Sequence, residues 1–215
     1  MSVMKTILCY GDSLTWGYDP QGPGRHAFET RWPSVLGRVL SGDAQVIAEG
    51  LNGRTTAFDD FTAGIDRNGA RLLPSILSTH APLDLVIIML GTNDMKRFLC
   101  GHAIGAAKGM RRLVEIVQTH VYPFEQAAPK VLLVSPPHAV ATSNGDFQQV
   151  FEGALEESAK LAGLYRDVAD VSGAGFFDAA SVANASPIDG IHLDAANTRS
   201  IGEALARPVK EILAL

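Results

Sequence analysis

The chain has 215 residues, 47% of them hydrophobic, only two cysteines and a formal net charge of −5. That length buries a substantial core as one domain, and the acidic balance disfavours nucleic acid and anionic membrane surfaces as partners. Cys9 and Cys100 form no CxxC pair, so neither a disulfide framework nor a cysteine-based zinc site is indicated.

Before Gly11 the N-terminus offers one lysine and the run Ile7-Leu8-Cys9-Tyr10, too short for the apolar core of a secretory signal. The longest apolar run, residues 85–90, is far shorter than the ~20 residues that span a bilayer. The expectation is a soluble, cytoplasmic protein.

Residues 4–10 read as a strand that stops at Gly11 and presents Asp12 and Ser13. Trp32, Val35, Leu36, Val39 and Leu40 recur at helix spacing, and Pro33 suits the first turn of that helix. Residues 44–48 form a second short strand, followed by the glycine-containing turn Glu49-Gly50-Leu51-Asn52-Gly53-Arg54-Thr55. A helix is predicted over 69–78, with Pro74 unfavourable in its middle. Residues 83–90 are the clearest strand, with an apolar run over 85–90 of the kind buried on both faces, and it ends in Gly91-Thr92-Asn93-Asp94. A helix over 103–120, a strand over 131–135, a polar loop over 138–146 and a helix over 147–164 follow. Residues 176–177 make a last short strand and 195–213 a closing helix.

Strands alternating with helices specify a parallel sheet covered on both faces. There is no repeat, low-complexity tract or interdomain linker. In such sheets ligands sit outside the carboxyl ends of the strands. Ser13, Gly53 and Asn93 each follow a strand and so should gather on one edge, although strand order is not readable from the sequence.

A serine at that edge is a candidate nucleophile, and it needs a base whose tautomer is fixed by a partner. Asp189 and His192, three positions apart in Asp189-Gly190-Ile191-His192, can supply both. Read alone, Ser13 or Asp12 is equally a helix N-cap, Gly53 a turn glycine, and Asn93 the head of an Asx turn. Asp12 and Asp94 are read as shaping their turns. Trp16 is a candidate wall of an acyl pocket, with core packing as the competing role. Phe58, Phe61, Phe98, Phe147 and Phe151 lie in or beside loops after strands and are further candidates for the pocket. The histidines at 26, 80, 102, 120 and 138 are read as structural.

The blocks Gly11-Asp12-Ser13-Leu14, Gly53, Gly91-Thr92-Asn93-Asp94 and Asp189-Gly190-Ile191-His192 resemble, in order, the successive blocks of the GDSL or SGNH hydrolase family. They span nearly the whole chain. The longer strings Gly11–Gly17 and Gly50–Thr56 further resemble the arylesterase and acyltransferase branch. The resemblance implies an α/β fold, three-layer α/β/α with a five-stranded parallel sheet in the flavodoxin-like order 2-1-3-4-5, as a single domain over 1–215. It implies a serine esterase acting on aryl or short-chain acyl esters, with possible transfer of the acyl group to alcohols. Ser13 would be the nucleophile, His192 the base and Asp189 its orienting carboxylate. The Ser13 and Gly53 N–H groups and the Asn93 amide would form the oxyanion hole. The resemblance implies no metal and no organic cofactor. Together with a mean hydropathy of +0.11, it implies a homo-oligomer in which the loops around Phe58–Phe61 and Met95–Leu99 narrow the site.

Two other classes remain open from the residues. Asp12, Asp94, Asp189 and His192 are donors suited to a divalent ion in a metal-dependent hydrolase. A nucleotide or flavin module shares the doubly wound class, but the first turn matches neither GxGxxG nor GxxxxGK[ST].

Overall fold

Five apolar segments pair side by side into a parallel sheet. Strand β1 (Lys5–Gly11) lies between β2 (Ala44–Gly50) and β3 (Leu85–Met89). β4 (Lys130–Ser135) pairs with β3, and β5 (Gly175–Asp178) pairs with β4, giving the order β2-β1-β3-β4-β5. This is the expected order, and the strand limits read from sequence hold to within two residues. The computed structural model describes residues 4–22 and 24–215. The first three residues, part of the stretch read for an export signal, lie outside the described residues.

Successive side chains of a strand point to opposite faces, and here both faces are buried. Leu8, Tyr10, Val86, Ile88 and Leu133 face one layer, in which α3 (Gly69–His80), α4 (Ala103–Thr119) and α7 (Leu161–Ser172) supply Leu73, Leu77, Met110, Leu113 and Tyr165. Ile7, Cys9, Leu85, Ile87, Met89, Leu132 and Val134 face the other. There α2 (Trp32–Val39) and α8 (Ala195–Leu213) supply Trp32, Leu36, Ile201, Leu205 and Val209. Double burial is why these strands read as unbroken apolar runs rather than alternating ones. Truncating one such leucine to alanine costs about 2–5 kcal/mol.

Two expectations need correction. The helix read over 69–78 continues through Pro74 to His80. The segment 147–164 is not one helix: α5 (Gly145–Val150), α6 (Ala154–Ser158) and α7 replace it. A continuous helix would need the Val150 carbonyl to accept from Ala154. Instead it accepts from the Arg97 N–H at 3.0 Å, and the Ala154 N–H turns to the Phe151 carbonyl. The stretch after Ser13, for which the sequence offers no element, is also ordered. Helix α1 (Ser13–Trp16) is a single turn, and the two-residue strands Tyr18–Asp19 and Gly24–Arg25 pair antiparallel beyond it. Among the described residues no helix is long and apolar enough to cross a membrane.

Candidate active site

The end of β1 turns directly into α1, and that turn fixes Ser13. The Asp12 carboxylate caps α1 by accepting the Leu14 N–H at 2.9 Å, so Asp12 shapes the turn and Ser13 occupies the first helical position. From the closing segment, His192 brings Nε2 to 2.9 Å from Ser13 Oγ. Its Nδ1 lies 2.6 Å from Asp189 Oδ2. A carboxylate only accepts, so Asp189 keeps the ring proton on Nδ1 and leaves Nε2 to accept from the serine hydroxyl.

Asp189 also organises its own turn, since Oδ1 accepts the Ile191 and His192 N–H groups at 3.0 and 2.9 Å. Burial acts to raise the Asp189 carboxyl. The hydrogen bond from His192 and those from the two main-chain groups outweigh it and hold the carboxyl below its ordinary range. His26, read as structural, donates from Nε2 to the Leu193 carbonyl at 2.8 Å and so braces the residue after His192.

The turn after β2 brings Gly53 to the same edge. Gly53 sits at φ +81° in the turn closed by the Arg54 N–H on the Leu51 carbonyl, a backbone conformation that favours glycine. Neither the Ser13 nor the Gly53 N–H has an acceptor among the described residues. The Asn93 amide donates to the Arg54 carbonyl at 3.1 Å and, more weakly, to Asp12 Oδ2 at 3.3 Å. Thus Ser13, Gly53, Asn93 and His192 line one cavity of about 280 Å³, and Asp189 stands behind His192.

Below the site, residues of the same blocks form a buried polar layer. Arg54 donates to the carbonyls of Gly11 and Glu49, tying the ends of β1 and β2 together, and its guanidinium lies 4.1 Å from the Tyr10 ring centroid. Asp94 accepts from the Thr56 N–H and hydroxyl. Burial pushes the Asp12 and Asp94 carboxyls up to about 6, with their hydrogen bonds offsetting only part of that cost.

Trp16 does not line the cavity. Its ring is covered by the Arg25 guanidinium at 4.5 Å, and its carbonyl accepts from Arg25 Nε, so the hairpin beyond α1 takes the indole. The aromatic wall beside His192 is instead Tyr18, with ring centroids 4.1 Å apart, and Phe147, edge-on at 5.9 Å. Phe151 joins Phe147 one helical turn on, while Phe61 and Phe98 are exposed and Phe58 lies elsewhere. The metal-site reading also fails on geometry. Asp12, Asp94 and Asp189 are each committed to separate donors. Among the described residues no group of three or more His, Cys, Asp or Glu is placed to hold an ion.

A sheet in this order, with a serine, a histidine and an aspartate in hydrogen-bond line at its edge, is the architecture of a serine hydrolase. The chain belongs to the GDSL-like lipase/acylhydrolase family, whose model matches residues 9–197, and it is a carboxylic ester hydrolase. It is 59% identical to a carbohydrate acetylesterase family member from Sinorhizobium meliloti, with a TM-score of 0.97 over 99% of this chain and 100% of that one. The native M. smegmatis aryl esterase is 46% identical, with a TM-score of 0.92 over 97% and 100%. Est24, a carbohydrate acetylesterase from Sinorhizobium meliloti, is 40% identical, with a TM-score of 0.92 over 97% and 99%. No curated protein sequence matches significantly.

Proposed function

We propose that the chain hydrolyses small carboxylic esters, with aryl or short-chain acyl groups, through an acyl-enzyme on Ser13. The observation that carries this reading is the unbroken line from Asp189 through His192 to Ser13 Oγ, opening on a cavity with apolar and polar walls. Ser13 Oγ adds to the ester carbonyl carbon while His192 Nε2 takes its proton, and Asp189 stabilises the imidazolium. The carbonyl oxygen becomes an oxyanion met by the Ser13 and Gly53 N–H groups and by the Asn93 amide, whose long contact with Asp12 is the one exchanged. Each such donor is worth roughly 2.7–4 kcal/mol in the transition state. Collapse expels the alcohol, which takes the proton from His192, and water then repeats the sequence to release the acid. The reaction as written uses no metal and no organic cofactor.

The similarity to acetylesterases and an aryl esterase supports small acyl groups. The reading extends to a single SGNH hydrolase domain over 1–215, a cytoplasmic setting, and partners limited to small esters and copies of itself. Alcohols compete with water for the acyl-enzyme where apolar walls disfavour water. A panel of 4-nitrophenyl esters of rising chain length, with and without a fluorophosphonate, tests the function. Turnover of the short esters that the reagent abolishes is expected. Turnover indifferent to the reagent but abolished by a chelator would overturn it.

A further inference from the structure

The cavity has two unlike walls. Tyr18, Phe147, Val150, Phe151 and Ile191 make one apolar, whereas Asn52, Arg67 and Lys96 make the other polar and cationic. Arg67 lies on the face of Gly53, where a Cβ would come within 2.8 Å of its guanidinium carbon. It pairs through Nη1 with Asp60 Oδ2 at 3.1 Å, while its Nε is buried without a partner. The other Asp60 oxygen is taken by the Thr62 N–H and hydroxyl. Lys96 follows Asn93 in the same turn, its N–H donating to the Asn93 carbonyl at 3.2 Å. Its ammonium makes no hydrogen bond or ion pair among the described residues.

The charge count on this wall is therefore two cations against one carboxylate. Burial, then the Arg67 charge, holds the Lys96 ammonium below its ordinary value, with Asp60, Asp12 and Asp94 acting the other way. Asp146 faces the cavity from the opposite side, but it is exposed at the rim, where solvent screens it. A partly desolvated cation without a partner is costly, and the cost is relieved when an anion with acceptor oxygens arrives. The two cations, with Asp60 the one carboxylate paired on this wall, favour a ligand that brings a carboxylate.

We propose that the Arg67–Lys96 wall is a subsite for a carboxylate carried by the ester itself, so that the enzyme selects monoanionic esters over their neutral counterparts. The proposal rests on the reading of Ser13 as nucleophile and adds the substrate class. The carboxylate can belong to the acyl part or to the alcohol part of the ester, and two substrate pairs separate these. The first compares 4-nitrophenyl hydrogen adipate with 4-nitrophenyl hexanoate. The second compares 4-acetoxybenzoate with phenyl acetate.

The quantity measured is the ratio of kcat/KM for the anionic and neutral member of each pair, in the full chain. In the Lys96→Met, Arg67→Gln double variant the ratio should fall by about tenfold in one pair, the loss of a charge-assisted contact. Comparison with the unsubstituted chain cancels the intrinsic reactivity of the esters. Lys96→Arg and Arg67→Lys should restore most of the ratio. In the unsubstituted chain, added potassium chloride should lower the same ratio, a readout independent of how the variants fold. Ratios unmoved by substitution and by salt in both pairs would overturn the subsite. A loss shared equally by neutral esters would also overturn it, because the cations would then act on the oxyanion. Failure of neutral turnover and of fluorophosphonate labelling would remove the esterase reading itself, and the subsite with it.

Discussion

Asp189 uses both carboxylate oxygens, one to hold the His192 proton on Nδ1 and the other to fold the turn that carries the ring to Ser13. Asp189→Asn keeps the shape but lets an amide N–H face Nδ1, which favours the wrong tautomer. In the proposed reaction kcat should fall by about 10⁴ with an unchanged circular dichroism spectrum; a loss under tenfold would remove the orienting role. Asn93→Ala should lower kcat by roughly 10²–10³ and change KM less, because the amide matters most when charge reaches the oxygen. A change confined to KM would make Asn93 a substrate-binding residue only. The buried acids below make a separate prediction. Asp12 and Asp94 are raised from 3.8 to about 6 on folding, so the folded chain binds their protons more tightly than the unfolded chain does. Their contribution to stability is full below pH 3.8 and is lost as pH rises through about 6. Asp94→Asn has no such proton to lose, so it should gain stability relative to the unsubstituted chain between pH 4 and pH 7 in urea unfolding. A difference constant across that window would contradict the assignment.

The site stands on short turns rather than on long elements, and its weak point is the turn between Asp189 and His192. Gly190 sits there at φ +80°, where an added Cβ would come within 2.5 Å of the Val140 carbonyl oxygen. Gly190→Ala should cost about 1–3 kcal/mol and lower kcat as well, because Asp189 and His192 flank it. An unchanged unfolding midpoint would show that the turn relaxes freely. The strands were legible from sequence because burial on both faces writes itself as an apolar run. Ser13, Gly53, Asn93, Asp189 and His192 were legible because each stands in a short motif after a strand or before the closing helix. Strand order came only from the family resemblance. The break in 147–164 was not legible, since it depends on the Val150 carbonyl meeting Arg97 across the fold. Trp16 was misplaced for a related reason. Local spacing put it near Ser13, but Arg25 from the following hairpin covers its ring. Tyr18, Arg67 and Lys96 reach the cavity from three separate segments, and no local pattern records such an approach.

At the scale of the molecule, the apolar strands bury their faces internally, so the hydrophobic share of the composition is largely used by the core. Some large apolar side chains still face outward near the site, with Phe61 at 91% and Phe98 at 54% exposed on the loops read as narrowing its mouth. Patches of that kind support the proposed homo-oligomer. Light scattering coupled to size exclusion at micromolar concentration should find a species larger than the single 22.9 kDa chain, and a lone monomer would refute the assembly. The most direct test of the account is which atom becomes covalently modified. After brief reaction with a fluorophosphonate, intact-mass and peptide analysis should find one adduct, on Ser13, absent from Ser13→Ala and formed far more slowly in His192→Ala. An adduct on any other residue, or ester turnover retained by Ser13→Ala, would contradict it.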